Sequence, residues 1–469
     1  MRIQLFALAF LACCFEASAQ TPKPPVPPRT FDLEAIDAYI AAAVQEKNTT
    51  GLSVAIVRDS RIVFAKGYGK RSIENNEPVT VDTAFAAGSV TKQFTCAAIL
   101  KLAEQGKLSV DDKVAKYFPT LTRAHDITLY QLMTHTSGYH DYYPLDFVDR
   151  RLTDDSTVDQ IITEYAGVPL DFEPGTRWSY SNTGYMILGK IIEQVGSSSS
   201  FVYNNILYPL GMWQSGFLTN SFLASRAEGY TPFALEPLSQ AIPEKPTWLF
   251  GAGNLWSTAT DLARWDIALM EGRILSPASY RLMTTPVTLK DGRVRDYGCG
   301  LNIKRENGGL TLSHGGAVSG FRASNTFIPR TKSAVVVLIN DEQAEPDVVA
   351  TIVGLINKAE NPVDVPKVAG PSAKEAAVDF FHQMQSGKLD RKRLGEEFSV
   401  YLTDEKVAEA APKLKALGEP TSVEASTPRE RGGLEVTSIQ LKFPSVKLGG
   451  LMYRSSDGKI EQLLFNKVD

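Results

Sequence analysis

Apolar residues recur along this chain in two rhythms, and each change of rhythm marks a boundary. Phe31, Ile36, Tyr39, Ile40 and Val44 keep helical spacing and predict a first helix. GLSVAIV (51–57) and RIVFAKGYG (61–69) then read as two strands joined through Asp59-Ser60, a hairpin. From Ser89 to about Met283 the pattern is mainly helical, interrupted by the polar and aromatic loops HTSGYHDYYP and DFEPGTRWSYSN. Strand patterning returns in YGCGLNI, LTLSH, SNTFI and the apolar run AVVVLIN, and a helix over about 347–357 closes this part. Strands at both ends of a long helical insert predict one sheet completed by distant segments, with a helical lobe against it: an α/β layer architecture.

Two proline-rich stretches punctuate the chain. TPKPPVPPR lies in a linker over 20–30, and ENPVDVPKVAGP in a second over 359–371. Beyond the second, Ser372-Ala-Lys-Glu375 is a capping-box pattern, followed by Ala376, Ala377, Phe380, Phe381 and Met384 at helical spacing up to Gly387. More helix over 404–417 gives way to alternating strand text with Ile439, Leu441 and Phe443. Residues 372–469 therefore read as a small α+β module of unknown role, loosely similar in order to nuclear transport factor 2 and its relatives.

Composition adds little that is specialised. The chain has 469 residues, 43% hydrophobic and 22% charged, with 49 Lys+Arg against 53 Asp+Glu. That profile fits a globular protein and supplies no basic surface for nucleic acid. The start, MRIQLFALAFLACCFEASAQ, has Arg2, an apolar stretch too short to span a bilayer and Ala17-Ser18-Ala19. It predicts a signal peptide over 1–19 cleaved before Gln20, hence a secreted or periplasmic protein without a transmembrane helix; Leu11-Ala12-Cys13 leaves a lipoprotein site as the rival reading. Cys96 and Cys299 then remain, in apolar surroundings, and read as buried free thiols. The five histidines form no helix-face pair, so no metal and no cofactor is expected.

The chemistry gathers in three short stretches. AAGSVTKQFT holds Ser89 and Lys92, which share a helix face if the run is helical. A serine hydroxyl needs a neighbour to take its proton, and a buried lysine can be neutral enough to do so. By itself the pair fits a helix cap beside a surface lysine as well. WSYSNTGY aims Tyr180 and Asn182 from a turn, and LSHGGAVSGF carries His314, Gly315, Gly316 and Ala317 on a strand. Paired glycines admit another backbone or a ligand.

In this order, Ser89-x-x-Lys92, Tyr180-x-Asn182 and His314-Gly-Gly resemble the penicillin-recognising serine hydrolases: class C β-lactamases, DD-carboxypeptidases, D-aminopeptidases and related esterases. LMTHTSG, PGTRWSYSNTGY, GAGNLWSTATDLARW and YGCGLNI support the likeness over about residues 31–358. The resemblance implies a β-lactamase/transpeptidase-like α/β fold, an antiparallel sheet flanked by helices with a large helical lobe. It also implies Ser89 as nucleophile, Lys92 and Tyr180 as proton-transfer groups in an order left open, and Asn182, His314, Gly316 and Ala317 at the substrate. The backbone N–H groups of Ser89 and Ala317 would form the oxyanion hole. Where many relatives carry Lys-Thr-Gly, this chain has His314-Gly-Gly, which removes a fixed cation and a hydroxyl. A peptide containing D-amino acids, with peptidoglycan as one source to consider, or a small ester thus becomes the expected substrate. A β-lactamase and a non-catalytic penicillin-binding-like scaffold are the alternatives; no Gly-x-Ser-x-Gly elbow supports a different hydrolase fold.

Overall fold

The computed structural model describes residues 26–143, 150–198, 200–217, 225–231, 238–306, 309–342, 347–360, 367–426 and 428–468. The expected signal peptide lies outside these residues, as does part of the second linker. The chain divides into two compact units, residues 1–359 and 360–469.

The first unit is built on a seven-stranded antiparallel sheet. Its strands are β1 (Gly51–Arg58), β2 (Arg61–Ser72), β3 (Glu77–Pro78), β4 (Asn302–Glu306), β5 (Gly309–Val318), β6 (Phe321–Ile328) and β7 (Ser333–Ile339). They stand in the order β4-β5-β6-β7-β1-β2-β3, so the N-terminal hairpin pairs with the last strand through Leu52–Ile339 to Val57–Ala334. Asp59 and Ser60 both take positive φ, 48° and 57°, the twist that a two-residue hairpin requires.

Among the helices of this unit are α1 (Leu33–Glu46), α2 (Thr91–Glu104), α3 (Asn182–Gly196), α4 (Pro246–Gly253), α5 (Ala259–Met270) and α6 (Val348–Glu360). The apolar runs in β1 and β7 are explained by burial on both faces. Leu52, Val54, Ile56, Val335 and Val337 pack with Ile36, Ile40, Ile352 and Ile356 of α1 and α6. Ala55, Val57, Val336 and Leu338 point the other way, into a larger core with Phe94, Ile99, Leu262 and Trp265 of α2 and α5. This helical lobe continues through Tyr185, Ile187 and Leu188 of α3. The fold is thus the α/β arrangement anticipated, with the helical insert laid on one face of the sheet.

The second unit has α7 (Ala373–Ser386) and α8 (Asp404–Lys415) with antiparallel strands β8 (Ser422–Ala425), β9 (Arg429–Arg431), β10 (Leu434–Lys442), β11 (Lys447–Arg454), β12 (Ile460–Leu463) and β13 (Asn466–Val468). Ser372 accepts from the Glu375 backbone N–H while the Glu375 carboxylate accepts from that of Ser372, a complete capping box. Phe380, Phe381, Ile439, Leu441 and Met452 form its core. A buried ion pair joins Arg454 to Glu435 at 2.6 Å.

Candidate active site

Ser89 sits in a single 3-10 turn, Gly88–Val90, which leads directly into α2. Gly88 has φ +50°, and a Cβ there would stand 2.9 Å from the Ala317 nitrogen, so glycine answers both the backbone angle and the approach of β5. Thr91 braces the turn: its hydroxyl donates to Gly88 O at 2.7 Å and accepts from the Leu255 N–H at 3.0 Å. Ser89 caps no helix, since neither the turn nor α2 has a side-chain cap. Lys92 is fully buried. A capping serine beside a surface lysine is therefore excluded.

Lys92 Nζ lies 3.1 Å from Ser89 Oγ, 2.7 Å from Asn182 Oδ1 and 2.8 Å from Ala252 O. The Ala252 carbonyl is available because α4 breaks at Phe250 (φ 25°, ψ −121°), which also turns Gly251 O to the Thr95 hydroxyl at 2.7 Å. Burial lowers the Lys92 ammonium to about pKa 7, against an upward pull from Asp141 and a smaller one from Cys96. A neutral amine has two hydrogens and one lone pair. The two shorter contacts are to acceptors that can only accept, which leaves the lone pair for the Ser89 hydroxyl. The geometry suits lysine as a proton acceptor.

Asn182, the first residue of α3, is oriented in turn by Asp141. Its backbone N–H donates to Asp141 Oδ1 at 2.9 Å and its Nδ2 to Oδ2 at 3.4 Å. Burial raises the Asp141 carboxyl, while these hydrogen bonds and the charge of Lys92 act to lower it. Sequence reasoning passed over Asp141; it stands inside the quoted loop HTSGYHDYYP, but no spacing rule links it to Asn182. Tyr180 has its ring 4.8 Å from Lys92 Nζ, and Tyr185 lies 5.2 Å away on the same ammonium. Both faces suit a transient cation.

His314 does not stand alone on its strand. The Ser181 N–H donates to His135 Nδ1 at 3.1 Å, which makes His135 Nε2 the protonated nitrogen facing Tyr297 Oη at 3.2 Å. His314 Nδ1 faces its neighbour's carbonyl, Gly315 O, at 2.6 Å, so its Nε2 is the acceptor for the Tyr297 hydroxyl at 3.0 Å. Each hydrogen bond in this chain has one consistent direction, with both rings neutral. Burial agrees: it lowers His135 well below the usual range and His314 to about 4, with Lys92 adding to both. The His135 ring also lies 4.3 Å from the Tyr180 ring, tilted 35° to it. The His314 ring, 4% exposed and engaged at both nitrogens, presents no cation to a ligand. Its strand neighbours are what reach the site. Tyr297, buried and missed in the sequence, is the link; it was legible only as part of a strand motif.

Gly316 brings β5 against the nucleophile turn. A Cβ at Gly316 would overlap Ala87 O and come 3.2 Å from the Ser89 nitrogen, whereas one at Gly315 would meet only Ala323 O, at 3.7 Å. The backbone nitrogens of Ser89 and Ala317 are thereby set at the same strand-to-turn contact. The structure thus brings Ser89, Lys92, Tyr180, Asn182, His314, Gly316 and Ala317 into one region. Cys96 and Cys299 are free and buried. Among the described residues no group of three or more His, Cys, Asp or Glu converges as metal ligands would, and no helix is long and apolar enough to cross a membrane.

The β-lactamase family profile matches residues 36–356. The chain belongs to the β-lactamase family. Membership makes it a serine hydrolase of the β-lactamase and penicillin-binding protein type. PbpX of Bacillus subtilis (strain 168), named for the penicillin-binding proteins, is 32% identical over 292 residues, covering 61% of this chain and 69% of its own. A D-aminopeptidase of Brucella anthropi is 26% identical over 322 residues; the match covers 66% of this chain but only 60% of that enzyme's length. The octameric penicillin-binding protein homologue from Pyrococcus abyssi superimposes on 93% of this chain and 96% of its own with a TM-score of 0.63, and at 24% identity this shows the fold alone.

Proposed function

We propose that the chain cleaves D-amino-acid-containing peptides or amides, and small esters secondarily, through an acyl intermediate on Ser89. The observation that carries this is the placement of the fully buried Lys92 Nζ 3.1 Å from Ser89 Oγ. In this scheme Lys92 takes the hydroxyl proton as Ser89 Oγ bonds to the substrate carbonyl carbon. The carbonyl oxygen becomes an oxyanion held by the Ser89 and Ala317 N–H groups. The protonated Lys92 rests over the rings of Tyr180 and Tyr185. Tyr180 carries the proton on to the departing amine or alcohol as the acyl bond breaks, and water then attacks the ester and restores Ser89. The D-configuration rests on the similarity to D-aminopeptidase and on the neutral His314 where a β-lactam carboxylate would favour a cation.

A panel of D-alanyl dipeptides, D-amino-acid amides, p-nitrophenyl esters and nitrocefin tests this. Turnover of D-configured amides and esters well above nitrocefin is expected. Rapid nitrocefin hydrolysis with inert D-amides makes the protein a β-lactamase instead. We also propose that the chain is exported after removal of residues 1–19; N-terminal sequencing of the mature protein should begin at Gln20, and an intact Met1 would refute it.

A further inference from the structure

Glu244, just ahead of α4, is a buried carboxylate that the scheme above does not use. It is 5% exposed. Its Oε1 accepts from the Tyr143 hydroxyl at 2.7 Å and the Ser319 N–H at 2.9 Å, and among the described residues its Oε2 accepts only from the same N–H, at 3.2 Å. All these donors are neutral. A carboxylate offers about four acceptor positions, so Oε2 retains capacity for another donor. Burying a carboxylate without a cation is costly, and holding a turn needs only a neutral acceptor. The adjacent Gly320 N–H already has its own acceptor in Glu342 Oε2, at 3.0 Å.

The position of Glu244 connects it to the reaction. Ser319 is two residues past Ala317, about 7 Å along the chain at the usual strand rise. Tyr143 is two residues past Asp141, which holds Asn182. Tyr142, between them, has its ring 6.2 Å from that of Tyr143, and its backbone N–H donates at 3.2 Å to the hydroxyl of Thr183, the residue after Asn182. The Ser319–Glu244 hydrogen bond adds 2.9 Å to the stretch from Ala317 to Ser319, so the Ala317 amide and the Glu244 carboxylate are at most about 10 Å apart, a gap that one aminoacyl unit with a hydrogen bond at each end can span. The geometry points to Glu244 as the receptor for the free α-ammonium of the residue that acylates Ser89, which makes the enzyme act at unblocked amino termini. This rests on the acyl-Ser89 reading.

The experiment compares kcat/KM of wild type and Glu244→Gln on D-alanine p-nitroanilide, N-acetyl-D-alanine p-nitroanilide and p-nitrophenyl acetate. Glutamine keeps an acceptor for Ser319 and Tyr143 but removes the charge. Wild type should prefer the free amine, and the variant should lose tenfold or more on it beyond any loss on the two uncharged substrates. An equal loss on all three makes Glu244 a turn support and overturns the inference, as does no loss at all. A second measurement needs no variant: D-alaninamide should compete with p-nitrophenyl acetate for the wild type at least tenfold better than N-acetyl-D-alaninamide, and equal competition overturns the inference too. Ester turnover without preference for the free amine removes Glu244 alone. Failure of all substrates together with failure of Ser89 to label with a fluorophosphonate removes the acyl-Ser89 reading, and Glu244 with it.

Discussion

Ser89, Lys92 and Asp141 define the site at the scale of single residues, and each carries a separable expectation. Ser89→Ala should abolish fluorophosphonate labelling, with the wild-type adduct mapped to Ser89 by peptide mass spectrometry. Lys92→Ala keeps the hydroxyl but loses its base, so labelling should slow by about a hundred- to ten-thousand-fold. The double variant should cost little beyond Ser89→Ala, because the two act as one unit. The acylation rate should rise with pH through about 7, as Lys92 loses its proton. Asp141 holds that value up, so Asp141→Asn should move the limb to lower pH, read from the labelling rate against pH. A limb that stays in place would detach Asp141 from Lys92.

At the scale of elements, the contact between β5 and the nucleophile turn is what two neighbouring glycines accomplish unequally. Gly316→Ala places a methyl where Ala87 O already stands. It should cost about 1–3 kcal/mol in denaturant unfolding and slow acylation as the Ser89 and Ala317 amides separate. Gly315→Ala meets only an ordinary contact and should keep wild-type stability. The His135–Tyr297–His314 chain belongs to this scale too, since it ties the Tyr180 segment to β5. His314 has a folded pKa near 4, below its unfolded value of about 6.5. The unfolded chain binds more protons between these values, so stability present above pH 6.5 is lost as pH falls toward 4. The melting temperature of wild type should fall over that window more steeply than that of His314→Gln.

For the whole molecule, the division at residue 359 separates a unit holding every candidate site residue from one holding none. We expect a chain ending at residue 360 to keep most turnover on p-nitrophenyl acetate, and residues 360–469 to melt cooperatively by themselves, followed by circular dichroism. A folded truncation without activity would show that the second unit contributes to catalysis. Its core of Phe380, Phe381, Ile439, Leu441 and Met452 supports independent folding.

The order of elements and the three motifs were legible in the linear chain, because hydrophobic periodicity and the demands of nucleophile, base and close strand approach act over a few residues. Ser89 and Lys92 are one helical turn apart, and so the sequence alone paired them. It did not decide between a cap with a surface lysine and a nucleophile with its base. That choice depends on burial, which α3, α4 and the break at Phe250 impose on Lys92 from segments about 90 and 160 residues away. For the same reason Asp141 and Tyr297 were not singled out: a carboxylate and a phenol become part of a site only when folding removes water and leaves them specific partners, Asn182 for Asp141 and the two histidine rings for Tyr297. The tautomers of His135 and His314 likewise follow from which carbonyl or amide each ring nitrogen meets. The sequence supplied the chemical groups; the tertiary structure set their protonation, because desolvation and hydrogen-bond direction exist only once distant segments are packed together.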